Sequence, residues 1–268
     1  VIPGEYAFRT SLGVTRAFNA DHDGDEMNIH VLQSPGARIE CSMLSNTAYH
    51  MITYQSNSPI IGCVQNTLVC PYVLTNTFST PKVNYRLEKE NPTKTLPDGS
   101  PGYETLVDIT DIHDAIMAAQ ISMERYNNFV KRAQKYYPHY VIDGKLADRI
   151  PGSLALSVVF PPNFCWSRKT DTNENFPEVK IKDGIILPDS GPLCKKAIGV
   201  TMGSAVHPLW KMEHQIAADV VSDLQAMAAV MIQRLGFSMG WPDCVPLRED
   251  EVKKELETVM LECEMIEN

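Results

Sequence analysis

Between Asn19 and Asn28 the chain reads Asn-Ala-Asp-His-Asp-Gly-Asp-Glu-Met-Asn, which sets Asp21, Asp23 and Asp25 at alternate positions around Gly24. Carboxylates at i, i+2 and i+4 are hard oxygen donors of the kind that Mg²⁺ and Ca²⁺ take. In a straight strand the outer two would lie about 13 Å apart, whereas ligands to one Mg²⁺ each come within about 2.1 Å of the ion. The segment must therefore curl to act as a metal site, and Gly24 supplies the backbone freedom for a tight loop. Three ionised carboxylates gathered this way repel one another, and a divalent cation offsets that repulsion. An EF-hand does not fit: a loop starting at Asp21 needs glycine sixth and glutamate twelfth, and those places hold Glu26 and Leu32. On the triplet alone a solvated acidic turn without an ion remains the alternative, because Asp and Gly are common turn formers.

The chain has 268 residues, 24 basic and 33 acidic, for a formal charge of −9, with 44% hydrophobic and 21% charged residues. This is globular composition, enough for one large domain or two modest ones. The negative balance argues against a lone nucleic-acid binder, because phosphate contacts want clusters of Lys and Arg. Here Lys131-Arg132 and Lys195-Lys196 are only pairs. The seven cysteines contain no Cys-x-x-Cys, so reduced, mostly buried thiols of an intracellular protein are expected, without a zinc site or disulfide framework. No run approaches 18 consecutive apolar residues and no signal peptide is visible, so no membrane partner is expected.

The flanks of the acidic loop sharpen the reading. Asn-Ala-Asp-x-Asp-Gly-Asp-Glu-Met-Asn as a unit resembles the catalytic loop of the largest (β′-type) subunit of multisubunit DNA-directed RNA polymerases, departing from the usual form at His22, where Phe is typical. Val1-Ile2-Pro3 and Phe8-Arg9 through Val14-Thr15 resemble the segment leading into that loop, and Gln55 to Leu68 the segment after it. Leu235 to Gly240 resembles the junction that closes the family's pore domain. The resemblance is close over residues 1–76 and collinear but patchy to about 250. It implies that Asp21, Asp23 and Asp25 hold the catalytic Mg²⁺, that Asn19 lies near the nucleotide's ribose hydroxyls, and that Gly24 lets the RNA 3′ end approach the backbone. It also implies an α+β fold: part of a double-psi β-barrel carrying the metal loop and following helices (1–76), a mixed helix and strand pore domain (77–241), and the start of a helical funnel (242–268). The partners implied are the other polymerase subunits, especially the second-largest, with DNA template, RNA transcript and NTPs. A large DNA virus or a divergent eukaryote is the expected source, and the nucleus, or a virion or viral factory, the expected compartment. A first residue of Val rather than Met is expected of an excised or processed portion, with the upstream barrel half, bridge helix and trigger loop lying outside these residues.

The elements that must position the loop follow from patterning. Residues 5–33 alternate at short period and are expected to form paired strands around the loop. Ala37–Met51 reads as a helix with Ile39, Met43, Leu44 and Ala48 on one face, Gln55–Pro59 as a loop, and Gly62–Leu74 as a helix ending near Asn76. Thr80–Tyr103 is a polar, Pro- and Gly-rich excursion. Asp111–Tyr137 is expected to be one amphipathic helix stopped by Pro138. Leu154–Phe160, Val179–Leu187 and Ile198–Met202 are strand candidates, with Asp183-Gly184 as a turn. A long helix is expected from His207 to Leu235 with Gly236 as its C-cap, then an acidic helix over Arg248–Ile266.

Two other functions stand beside the polymerase reading. A non-catalytic structural module of a split polymerase would show a large exposed apolar face on residues 206–235. An independent Mg²⁺-dependent phosphohydrolase would need its own base and phosphate-binding loop, and no such motif is present.

Overall fold

The computed structural model describes residues 4, 6–78, 94–95, 101–170, 177–238, 240–244 and 249–267. A 3₁₀ turn, Leu12–Val14, is capped by Ser11 and runs into the single turn α1, Thr15–Phe18. No strand forms among the described residues between Tyr6 and Gln33, contrary to the paired strands expected there. The alternation is real, but a strand needs a ladder partner and a buried face. Ile29 is 64% and Val31 79% exposed, and no described strand lies beside them.

Ser34 accepts a hydrogen bond from the Ala37 N–H and Pro35 occupies the first turn, so α2 starts at Pro35. It ends at Leu44, about two turns short of the expected Met51, and Ile39, Met43 and Leu44 stay exposed. The expected loop over Gln55–Pro59 is the turn and return limb of a small hairpin, with Ile52–Thr53 antiparallel to Ser58–Pro59 and Asn57 at φ 48. Helix α3 (Asn66–Thr75) then ends at Asn76 as read. Within the expected polar excursion, Pro101–Glu104 pairs with both Thr77–Phe78 and Lys94–Thr95, while 79–93 and 96–100 lie outside the described residues.

The single helix expected over Asp111–Tyr137 is two helices, α4 (Ile109–Ala118) and α5 (Met123–Tyr136). Gln120 turns left-handed at φ 54, and Ser122 caps α5 by accepting from the Arg125 N–H. Both pieces bury apolar residues (Ile112, Ala115 and Ile116; Phe129, Val130 and Ala133), so the stripe survives the break and the sequence reads through it. Leu154–Phe160 is not a strand either. Gly152–Leu156 forms the short helix α6, followed by a 3₁₀ turn at Ser157–Val159. Every residue from Gly152 to Val159 is buried, and a fully buried run carries no period by which to tell strand from helix. Val179–Lys182 and Ile185–Ile186 pair around Asp183-Gly184, whose positive φ values suit a two-residue hairpin, and Trp166–Arg168 pairs on the other side. The Ile198–Met202 strand is replaced by the turn α7 (Lys195–Ile198) and one parallel bridge, Cys63 to Gly199.

The long C-terminal helix also breaks, into α8 (Val206–Met212) and α9 (His214–Leu235), with Glu213 extended between them and Gly236 at φ 69 after the end. Helix α9 packs against α3, α4 and α8. Among the described residues it is the helix long and apolar enough to cross a membrane, but Val220, Leu224, Met227 and Met231 are buried in the core. Each such side chain contributes about 2 kcal/mol. The exposed apolar face asked for by the structural-module reading is therefore not found on 206–235. Asp223 on the same helix pairs with Arg125 at 2.6 Å, and burial raises its pKa while the guanidinium opposes the rise. Residues 236–268 form a separate unit whose α10 (Glu249–Glu267) leaves Leu256, Met260 and Leu261 exposed.

All seven cysteines are free, but only Cys63 and Cys70 are buried, their thiols pushed up to about 12 chiefly by desolvation. Cys165, Cys244 and Cys263 are exposed, which corrects the expectation of mostly buried thiols. Two helices approach closely at Gly152, where an added Cβ would stand 2.4 Å from the Leu74 carbonyl oxygen and 2.8 Å from the Leu74 Cβ. Gly152→Ala is expected to cost about 2 kcal/mol by overpacking, read as a lower urea midpoint. An unchanged midpoint would mean that α3 and α6 do not meet this closely.

Candidate metal centre

Local chemistry brings the acidic residues together. Helix α1 ends with Asn19 at φ 50, ψ 36, and the Ala20 N–H donates back to the Thr15 carbonyl at 2.9 Å. This is a left-handed helix cap, and Asn is among the few residues other than glycine that take it readily. The chain then turns at once into the aspartates. The Asp21 N–H donates to Asp25 Oδ2 at 3.1 Å, closing the loop across four residues. Gly24 sits at φ 111, outside the range where a side chain is comfortable, although a Cβ there would meet nothing within 4 Å. Glycine is therefore required for the path of the chain and not for want of space.

One carboxylate oxygen from each of Asp21, Asp23 and Asp25 lies within 4.8 Å of the others, and all three residues are exposed. Around one octahedral Mg²⁺ adjacent ligands stand about 3.0 Å apart and opposite ones about 4.2 Å, so the three oxygens are near enough to share an ion once they draw together. The donors are all hard oxygens, and the exposed loop leaves room for the waters Mg²⁺ usually keeps. Asp23 is held above the usual carboxylate range, first by sharing a hydrogen bond with Asp21, then by slight desolvation and the charge of Asp25. His22 is exposed beside them.

The limb before the loop is tied to the rest of the chain by contacts that the sequence did not announce. Ser11 Oγ donates to Gln225 Oε1 on α9 at 2.5 Å, Gly13 is buried beneath Gln225, and Arg16 Nη1 donates to the Val200 carbonyl at 3.4 Å. The Ser11–Gln225 partners are 214 residues apart. The one local hint was a glycine in a segment otherwise patterned as strand.

With this geometry in hand, comparison with known proteins assigns the chain. Residues 50–244 match the family model for RNA polymerase Rpb1, domain 3, and residues 1–47 match that for RNA polymerase Rpb1, domain 2. The chain belongs to the Rpb1 family. It is 26% identical over 266 residues to the "Probable DNA-directed RNA polymerase II subunit RPB1 homolog" of Invertebrate iridescent virus 6, covering 97% of this chain and 22% of that protein. It thus spans about a fifth of the length of this Rpb1 relative. The acidic loop falls in the domain 2 match, while Val200 and Gln225, which hold its limb, fall in the domain 3 match.

A carboxyl whose pKa is raised on folding binds its proton more tightly than the unfolded chain does. Its contribution to stability is therefore complete below the ordinary 3.8 and is lost as the pH climbs through the raised value. In the metal-free chain the Asp23 carboxyl carbon is expected to titrate above 3.8 by NMR. Asp21→Asn should bring the midpoint down, because an amide donates to the carboxylate and stabilises its charge. A wild-type midpoint at or below 3.8 would contradict this arrangement.

Proposed function

We propose that this chain is the active-site and pore portion of the catalytic subunit of a DNA-dependent RNA polymerase, in which Asp21, Asp23 and Asp25 hold the Mg²⁺ for nucleotidyl transfer from NTPs to the RNA 3′ end. The observation that carries it is the gathering of three hard-oxygen ligands on one closed loop in a member of the Rpb1 family. When bound, the ion lowers the pKa of the attacking 3′-OH and stabilises charge on the phosphate. Everything else is positioning by the chain. The Asp21 amide orients the Asp25 carboxylate, Gly24 leaves its side open for close approach of an RNA end, and Asn19, at the cap of α1, would lie near the ribose hydroxyls of the nucleotide.

Residues 1–76 are then half of a double-psi β-barrel and its following helices, 77–241 the pore domain and 242–268 the start of the funnel. The exposed alternation of Ile29 and Val31 supports strands completed by partners beyond these residues. The charge of −9 supports a complex whose other subunits, especially the second-largest, supply most of the grip on template DNA and transcript. The viral relative favours a viral source and an intracellular setting such as a viral factory.

The test is RNA extension on a primed DNA scaffold by the native assembly, wild type against Asp23→Ala. Elongation should depend on Mg²⁺ and fall by about 100-fold or more with the assembly intact, as loss of a metal ligand implies. Unchanged elongation would move the catalytic loop elsewhere and leave this chain a structural module. The 268-residue chain by itself should make no RNA, because positioning supplies most of the rate in such chemistry; templated synthesis by the isolated chain would contradict that.

A further inference from the structure

The carboxylate loop hangs on a limb with little else to hold it. Among the described residues from Tyr6 to Thr47, Gly13 alone is buried. Its burial is chiefly against one side chain: a Cβ at Gly13 would stand 2.2 Å from Gln225 Nε2 and 3.3 Å from Gln225 Cδ, with the Gly62 carbonyl oxygen farther off at 3.5 Å. The same amide accepts the Ser11 hydroxyl at 2.5 Å, so Gln225 grips the limb at two residues. From there the bonding runs without a gap to the acidic loop. The Val14 N–H donates to the Ser11 carbonyl at 3.3 Å, Thr15 Oγ1 donates to the Leu12 carbonyl at 2.7 Å, and the Ala20 N–H returns to the Thr15 carbonyl at 2.9 Å. Asp21 is the next residue, and its own N–H holds Asp25.

We propose that Gln225 is a positioning residue for the carboxylate triad, setting where Asp21, Asp23 and Asp25 stand relative to the core. It touches no ligand atom and acts through Ser11 and Gly13. Val14 also packs, half-buried, against the core but makes no directional side-chain bond, and the tie from Arg16 to the Val200 carbonyl is long at 3.4 Å and made by an exposed side chain, so both constrain the limb less. Helix α9 is well suited to the task. Leu224 and Met227, on either side of Gln225 in sequence, are buried among α3, α4 and α8, so the amide starts from a fixed backbone. The inference rests on the triad being a metal site.

The experiment is Mn²⁺ binding to the 268-residue chain, followed by electron paramagnetic resonance, alongside the urea midpoint of each variant. Gln225→Ala and Ser11→Ala are each expected to weaken Mn²⁺ binding by about 3- to 10-fold, below or at the low end of the range for residues that orient metal ligands directly. The double variant should bind no more weakly than either single one, because both substitutions break the same link. Gln225→Glu keeps an acceptor for the Ser11 hydroxyl and should restore affinity to within about 2-fold of wild type. A purely structural role would lower the urea midpoint and leave Mn²⁺ affinity alone. Unchanged affinity in both alanine variants, or losses that add in the double variant, would overturn the proposal. Asp23→Ala separates the two claims. If it binds Mn²⁺ as well as wild type does, the metal reading itself fails and this proposal with it. If it loses binding while Gln225→Ala does not, only the positioning role fails.

Discussion

Helix α9 can bury Val220, Leu224, Met227 and Met231 only where other helices close over it, and α3, α4 and α8 do so. The constraint spreads outward from there. Because α4 lies on α9, the chain must turn sharply at Gln120 before α5 can run back, and Asp223 reaches the Arg125 guanidinium that also donates to the Val159 carbonyl. That one arginine joins α5, α9 and the buried turn after α6. Because α3 lies on α9, Leu74 is pressed against Gly152, and the whole run from Gly152 to Val159 is sealed. The metal limb is the last thing attached, through Gln225, on a side of α9 that is only half-buried.

What could be read from the sequence was whatever a few neighbouring residues decide. Asp183-Gly184 makes its hairpin because both positions accept positive φ, and Gly236 follows α9 in the left-handed conformation. The acidic loop was legible for the same reason. Its ligands lie within five residues and its closing bond within four, so no distant part of the chain is needed to assemble it. The misreadings were decided at long range. Gly152–Val159 looked like a strand because burial on all sides erases the period that distinguishes helix from strand. The break at Gln120 was hidden because α4 and α5 turn their apolar stripes to the same core. Ile29 and Val31 alternate as strand residues do, yet alternation cannot form a ladder without a neighbour. Gln225 gave no signal at all, since a polar residue on a helix looks alike whether it meets water or a serine 214 positions away.

The distribution of exposed apolar residues sharpens the functional argument. Helix α9, where a structural module would offer a naked face, buries Val220, Leu224, Met227 and Met231 within the chain. Exposed apolar residues that share a row or a helix face include Ile29 and Val31 after the acidic loop, Ile39, Met43 and Leu44 on α2, and Leu256, Met260 and Leu261 on α10. Single exposed apolar residues are ordinary, but a short-period row and two helix faces are surfaces that exclude water when covered. Within the domain 2 and domain 3 matches, then, the domain 3 region carries its own core, and among the described residues the domain 2 region leans on it through the Ser11 to Arg16 limb, at Ser11, Gly13, Val14 and Arg16.

This asymmetry bears on how an exposed triad can serve as a metal site. Open to water, the three carboxylates gain little from a low dielectric, so their hold on an ion depends on being gathered in advance. The loop provides part of the gathering, through the Asp21 amide and the path allowed by Gly24, and the bonded limb that ends at Ala20 restricts the residue before Asp21 and so provides the rest. The loop does not provide a location, because nothing in residues 20–33 is buried. Phosphoryl transfer is sensitive to location, since its rate comes mostly from holding reacting atoms in line. A hinge-free chain of hydrogen bonds from a core helix to the residue before Asp21 is the economical way to give a solvent-exposed loop a fixed address. The cost is that the address depends on an amide and a hydroxyl far from any reacting atom.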